Sequence, residues 1–304
     1  MNFDEPCYIQ TWKKGLLQEK IQRAAEILQS CTLCPRACRV NRKAGEKGIC
    51  RTTDQAMVYG YHAHFGEEAP LVGRYGSGTI FFTHCNLKCN FCQNFEISHK
   101  GKGKPVSDLE LSNMMLELQK EGCLNINFVT PSHVVPQILS AVLLAAERGL
   151  TLPLVYNTSA YDAVETLRIL DGVIDIYMPD FKFWDPRTSD TTCGAPDYPD
   201  TARKAVLEMH RQVGNLFMDA SGLAKRGLLI RHLVMPDGLG ETLEIMKFIA
   251  TRISVNTYVN VMPQYHPCGD IGGMKSLHRQ ITPNEYAKAL QYALEAGLTR
   301  IDKR

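Results

Sequence analysis

The sequence predicts an α/β fold, a partial (βα)6 barrel that follows a cysteine-rich N-terminal extension. Three observations predict it. From Gly76 onward, short β-rich runs alternate with longer amphipathic ones, the pattern of βα units on a parallel sheet. No G-x-G-x-x-G follows the first strand, so the rival open doubly wound sheet lacks its usual turn. Before Gly76 the apolar periodicity is sparse and cysteines are dense. The expected division is a helix and metal-binding extension over residues 1–75 and a barrel over residues 76–304.

The extension opens with one helical run over residues 11–29 and continues into a turn-rich region. Strands are expected at residues 79–83, 126–130, 152–157, 174–178, 228–235 and 258–262, where branched and aromatic residues are bounded by polar or proline turns. Helices fall between them at 108–121, 135–147, 160–170, 199–213 and 243–253, and a last one at 283–296 follows the final strand. In such barrels the chemistry sits on loops that leave the carboxyl ends of the strands. Site residues are therefore sought in those loops.

With 304 residues and 44% hydrophobic composition, the chain can bury a large core. Its formal net charge is +2 and the charges are interspersed, unlike the basic footprint of a duplex-DNA binder. Residues 1–15 show no apolar signal-peptide core. The most apolar helical stretch, residues 138–146, falls far short of the ~20 residues that cross a bilayer. A soluble, cytoplasmic protein is expected, with neither nucleic acid nor membrane as partner.

There are 11 cysteines, and seven fall into two tight groups. A disulfide framework suits a short secreted chain, whereas tight spacing in a cytoplasmic one points to metal ligation. Cys7, Cys123, Cys193 and Cys268 are scattered and read as small buried hydrophobes. The loop leaving the first strand carries Cys85, Cys89 and Cys92 as C-x3-C-x2-C. Soft thiolates at this density suit an iron–sulfur cluster or zinc. A structural zinc wants four closed ligands, whereas three leave a metal open for chemistry. A zinc knuckle completed by His84 or His99 is the alternative.

This loop, C-x3-C-x-aromatic-C after a first strand, resembles the signature of the radical S-adenosylmethionine superfamily. The resemblance implies a [4Fe–4S] cluster on Cys85, Cys89 and Cys92, whose open iron chelates S-adenosyl-L-methionine through its amino and carboxylate groups. It also implies reductive cleavage to a 5′-deoxyadenosyl radical that abstracts hydrogen from a substrate. A reducing partner such as flavodoxin or ferredoxin belongs to that chemistry. Phe91 is placed to pack on the adenine; an aromatic simply buried beside the cluster is the other reading.

The similarity continues along the barrel and points to the pyruvate formate-lyase activating enzyme and its activating-enzyme-like relatives. Asn94 follows Cys92 by two, as in their Cys-His-Asn, with Gln93 in place of the His. Met178, Asp180 and Lys182 resemble the M-x-D-x-K of their fourth strand, where the Asp and Lys lie near the methionyl end of the cofactor. Asp180 and Lys182 alternate and so share one face, which keeps a structural ion pair open. Residues 230–236 resemble their I-R-x-x-V-x-P. Pro263, Tyr265 and His266 resemble the P-Y-H after their sixth strand, whose His approaches the cofactor; a core histidine is the alternative. The chain departs from these relatives at the end of the second strand. They carry a Gly-Gly-Glu-type element there for the cofactor amino group, whereas residues 127–133 hold no carboxylate. Thr130, Ser132, Asn157 or backbone carbonyls are the expected substitutes.

Cys31, Cys34, Cys38 and Cys50 form C-x2-C-x3-C-x11-C. Four soft ligands close a site, so the default is a structural metal, with zinc and an auxiliary [4Fe–4S] cluster both compatible. Arg36, Arg39, Arg42 and Lys43 would offset the negative charge of the thiolates. The Lys-Gly run at residues 100–104 reads as a solvated loop. Three functions stay in play. The first is a hydrogen-abstracting enzyme acting on a protein, activase-like, that generates a glycyl radical in its partner. The second is a radical enzyme acting on a small metabolite or modifying a peptide. The third is a non-catalytic iron–sulfur electron carrier, against which Asp180, Lys182 and His266 argue.

Overall fold

A computed structural model describes residues 5–302. Residues 1–4 and 303–304, which end the two predicted segments and begin the stretch read as free of a signal peptide, lie outside the described residues. The strands are β1 (Ala56–His64), β2 (Ser77–Phe82), β3 (Lys104–Val106), β4 (Ile126–Val129), β5 (Leu154–Thr158), β6 (Ile176–Pro179), β7 (Phe217–Met218), β8 (Ala224–Leu233), β9 (Tyr258–Met262) and β10 (Arg300–Ile301). They form one sheet in the order β10-β9-β8-β6-β5-β4-β2-β1-β3, with β7 attached to β8.

From β2 to β10 every neighbouring pair on this path is parallel, while β1 and β3 extend one edge in antiparallel pairing. The parallel strands succeed one another in chain order without a reversal. Right-handed crossovers then place all the connecting helices on one face. That is the progression of a barrel, since a doubly wound sheet reverses its order at a switch point. β3 and β10 remain separate edges, so the barrel is open. The predicted fold class is what the chain adopts.

Local sequence accounts for most element boundaries. β5 and β6 are buried along their whole length, as strands of a parallel sheet covered on both sides should be. Ser107 caps the helix Asp108–Lys120 and Thr282 caps Pro283–Glu295, each reciprocated by a glutamate at the third helical position. Helix Val135–Glu147 and strand Tyr258–Met262 have their expected bounds. The expected helix at 160–170 is shorter, Val164–Ile169, the strand at 228–235 runs over Ala224–Leu233, and β1, β3, β7 and β10 are additional to the expected strands. Two predicted helices are divided. The single helix expected over residues 11–29 is two helices, Cys7–Lys13 and Leu16–Ile27, because Gly15 between them takes a left-handed φ of 71°. The helix expected at 243–253 is α-helical over Thr242–Phe248 and then widens into a π turn, Ile249–Ile253.

The extension and the barrel share one core. β1 pairs with β2 across residue 76, and Tyr8, Leu17 and Ala24 pack in the same cluster as Ile138 and Leu139. Tyr8 Oη donates to the carbonyls of Leu150 (2.9 Å) and Leu152 (3.2 Å). Asp175 accepts from the backbone N–H groups of Cys7 (2.8 Å) and Leu154 (2.9 Å). The first helix thus covers the amino ends of β5 and β6, and their carboxyl ends stay available for a site. No helix among the described residues is long and apolar enough to cross a membrane.

Candidate functional site

β2 runs directly into the loop that carries Cys85, Cys89 and Cys92. His84 and Lys88 both take left-handed backbone angles there, φ 74° and 61°. For side chains with a Cβ this conformation costs of order 1 kcal/mol and persists where surrounding contacts impose it. The contacts are visible. Arg36, from the extension, donates through Nε to Asn86 O (3.0 Å), through Nη2 to Leu87 O (3.0 Å) and Cys193 O (2.8 Å), and through Nη1 to Gly194 O. Asn86 Nδ2 donates to Tyr161 O at 2.7 Å, and Lys88 Nζ to Ser98 O at 2.8 Å. Two of the sulfurs already receive donors. The Leu87 N–H lies 3.4 Å from Cys85 Sγ, and the Ser98 hydroxyl 3.2 Å from Cys92 Sγ.

The three cysteines border a cavity of about 410 Å³ at the carboxyl ends of the parallel strands. The same cavity is lined by a network of two carboxylates and two cations. Asp180 Oδ2 accepts from Lys182 Nζ (2.6 Å), and Asp180 Oδ1 accepts from Arg231 Nε (2.6 Å). Arg231 Nη1 reaches Glu67 Oε2 at 3.2 Å, and its Nη2 donates to Asn157 Oδ1 at 2.6 Å. Glu67 Oε1 accepts from Asn127 Nδ2 at 3.0 Å. Burial alone would raise the Asp180 carboxyl, but Arg231 and Lys182 outweigh it and hold the group below the usual carboxylate range. Burial dominates at Glu67 and pushes its carboxyl up despite Arg231. The network thus offers donors and acceptors side by side, and Lys88 adds a further cation to the lining.

Most residues singled out in the sequence meet here. Asn157, Asp180, Lys182, Phe91 and Asn94 line the same cavity as the three cysteines. Phe91 is buried against the rings of Phe183 and Tyr265 (centroids 5.8 and 6.4 Å). Asp180 and Lys182 do form the ion pair kept open above, and they form it at the cavity wall. His266 is not among the lining residues: it is exposed, with Nδ1 3.3 Å from Gln264 O. Of the substitutes for a second-strand carboxylate, Thr130 and Asn157 line the cavity, whereas Ser132 is buried against Thr158 (Oγ to Oγ1, 3.1 Å).

Sequence reasoning missed Glu67, a carboxylate that reaches the wall from the turn between β1 and β2. Its only sequence signal is an acidic pair, Glu67 and Glu68, in a stretch with no predicted element. Two of the four scattered cysteines are also more than filler. The Cys193 thiol contacts that of Cys89, and Cys268 Sγ donates to Phe91 O at 3.1 Å. Next to Cys268, the Asp270 N–H donates to Asn90 O at 2.7 Å. The segment after β9 is thereby fastened to the cysteine loop.

The donor set suits an iron–sulfur cluster. Among the described residues, no three His, Cys, Asp or Glu side chains are grouped as they would be around a single metal ion. His99 is engaged elsewhere, stacked on Phe95 (4.3 Å) with Nδ1 2.8 Å from Ser98 Oγ. Three thiols, hydrogen-bond donors to two of them and an adjoining polar cavity are what a cluster with one open iron asks of a protein.

No protein-family model matches the chain. Among solved structures, the chain is similar to native anSMEcpe with bound AdoMet (S-adenosylmethionine), with a TM-score of 0.50 and 14% identity over 72% of this chain and 61% of that one. SuiB of Streptococcus suis bound to precursor peptide SuiA gives 0.48 and 14%, over 70% of this chain and 44% of that one. The chain therefore spans less than two thirds of the length of these solved structures. The chain shares the fold of that anSMEcpe structure. Among curated proteins, the chain is 32% identical over 297 residues to uncharacterised protein MJ0674 of Methanocaldococcus jannaschii, a match covering 95% of this chain and 81% of that protein. It belongs to the same family as that archaeal protein.

Proposed function

We propose that the chain is a radical S-adenosylmethionine enzyme that holds a [4Fe–4S] cluster on Cys85, Cys89 and Cys92 and acts on a segment of a protein substrate, in the manner of glycyl-radical activating enzymes. One observation carries the reading: the three thiols and a two-sign ion network line a single cavity. When bound, the cluster and S-adenosylmethionine supply one electron and a 5′-deoxyadenosyl group that takes hydrogen from the substrate.

The chain's own residues bind and orient. Lys182 and Arg231 offer donors to a carboxylate, and Glu67 and Asp180 accept from an amino group, which suits the zwitterionic methionyl end. Phe91 offers an aromatic surface for adenine. A cavity of about 410 Å³ is of the size that one ligand fills, roughly 300–1,000 Å³ for such sites. With S-adenosylmethionine inside, the reacting group of the substrate must reach in from the mouth. A flexible polypeptide segment can do so; a small metabolite would need a pocket of its own. An electron carrier would need no such cavity. The reductant is an external one-electron donor of the flavodoxin or ferredoxin class.

Anaerobic protein, reconstituted with iron and sulfide and given dithionite, is expected to release 5′-deoxyadenosine from S-adenosylmethionine, and Cys89→Ala to release none. An intact cluster without release would overturn the reading. With a deuterated protein partner, deuterium should pass into the 5′-deoxyadenosine. Deuterium arriving only from a small metabolite would reassign the substrate class.

A further inference from the structure

We propose that Cys31, Cys34, Cys38 and Cys50 hold a second iron–sulfur cluster, and that this site is not built for zinc. The four cysteines line one hollow together with Arg42, Gly48 and His133. Their ligands are separate from those of the barrel loop, so the proposal does not depend on any S-adenosylmethionine chemistry.

A buried guanidinium stands beside the hollow. Arg42 is 1% exposed, and its guanidinium donates to Thr53 O (2.9 and 2.6 Å) and His133 O (2.9 Å), with Cys31 Sγ 3.8 Å away. No carboxylate is among these partners. A buried cation is unfavourable without a counter-charge, and a metal–thiolate group in the hollow would supply one.

The spread of the sulfurs selects the metal. The four line one hollow, yet they are not grouped as ligands of a single ion, as four thiolates on zinc at ~2.3 Å would be. A polynuclear core sets its cysteines wide apart and fills such a space. Two more observations show that a group belongs there. His133 is 1% exposed and gives Nε2–H to Thr83 O (3.0 Å), which leaves Nδ1 without a partner in the hollow's wall. An orphaned buried polar atom of this kind marks room for something the polypeptide does not provide. Cys38 Sγ accepts from the Ile49 N–H at 3.5 Å, and a Cβ on Gly48 would stand 2.7 Å from that sulfur. Backbone is thus brought close to the ligand, as Fe–S sulfurs favour.

The site also adjoins the first. Arg36, between Cys34 and Cys38, is bonded to the barrel loop, and Lys88 lies within charge reach of both Cys50 and Cys85.

The test uses the full chain with Cys85, Cys89 and Cys92 all changed to Ala, reconstituted anaerobically with iron and sulfide. The variant is expected to keep about half of the wild-type iron and acid-labile sulfide, with a visible sulfide-to-iron absorption. Retained zinc without sulfide, or no metal at all while the wild type binds iron, would overturn the second cluster and leave the loop site standing. A wild type without iron would instead sink the loop site. Should the triple variant fail to fold, metal analysis of the unaltered protein decides. The expected content is twice the iron of a single cluster and no zinc, and one zinc per chain beside a single cluster would refute the proposal.

Discussion

Arg36 Nη2 donates to the carbonyl of Leu87 at 3.0 Å, so a residue lying between two N-terminal cysteines holds the loop between Cys85 and Cys89. The same guanidinium serves Asn86, Cys193 and Gly194. Bonds from a charged donor contribute about 1.5–3 kcal/mol each, and their shared origin keeps the sum well below four times that. Arg36→Ala is expected to lower stability by about 2–4 kcal/mol and to loosen the loop. Arg36→Lys should restore little, because an ammonium lacks the planar fork. Urea unfolding of metal-free protein measures both. A loss under ~0.5 kcal/mol for Arg36→Ala would show that the strap is idle.

The pairing of Asp180 with Lys182 and Arg231 makes a second expectation. Removing this carboxylate leaves two cations at the cavity wall with Glu67 as the carboxylate bonded to Arg231. Asp180→Ala should destabilise the protein by about 3–5 kcal/mol, as breaking a buried pair does. Asp180→Asn, which keeps an acceptor, should cost less. Thermal unfolding gives the ranking, and equal losses would contradict an electrostatic role.

Asp175 sets a pH dependence. Burial pushes its carboxyl up to about 6, against the N–H donors of Leu154 and Cys7, which favour the charged form. The folded state therefore binds this proton more tightly than the unfolded chain. The stabilising contribution is full below about pH 4 and is lost as pH rises through 6. Asp175→Asn removes the titration. Unfolding free energies from pH 4 to 7.5 should show wild type losing ground to the variant as pH rises. Parallel curves would refute the assignment.

The parallel core was legible because its signals are local. Branched residues in β5, β6 and β9 alternate with capped helices, and the cysteine loop follows its strand at once. What escaped is non-local. β1 buries only Ala56 and Val58 among its nine residues, with Tyr59 and Tyr61 exposed, so its pattern does not read as a strand. Without β1 there is no way to see that Glu67 folds back to meet Arg231, 164 positions later. Cys193 and Cys268 look isolated along the chain for the same reason. Arg231 lies within the I-R-x-x-V-x-P segment, yet its role depends on Asp180, Asn157 and Glu67, which come from three other places.

The fastening of residues 268–270 to Asn90 and Phe91 has a bearing on entry. A Cβ at Gly269 would stand 2.2 Å from Asn90 O, and the glycine takes φ +74°, so this stitch tolerates no side chain. The stretch that leaves β9 and the thiol-bearing turn are held together as one panel. Elsewhere the cavity takes its lining from β1 and β2, through His64 and Phe81.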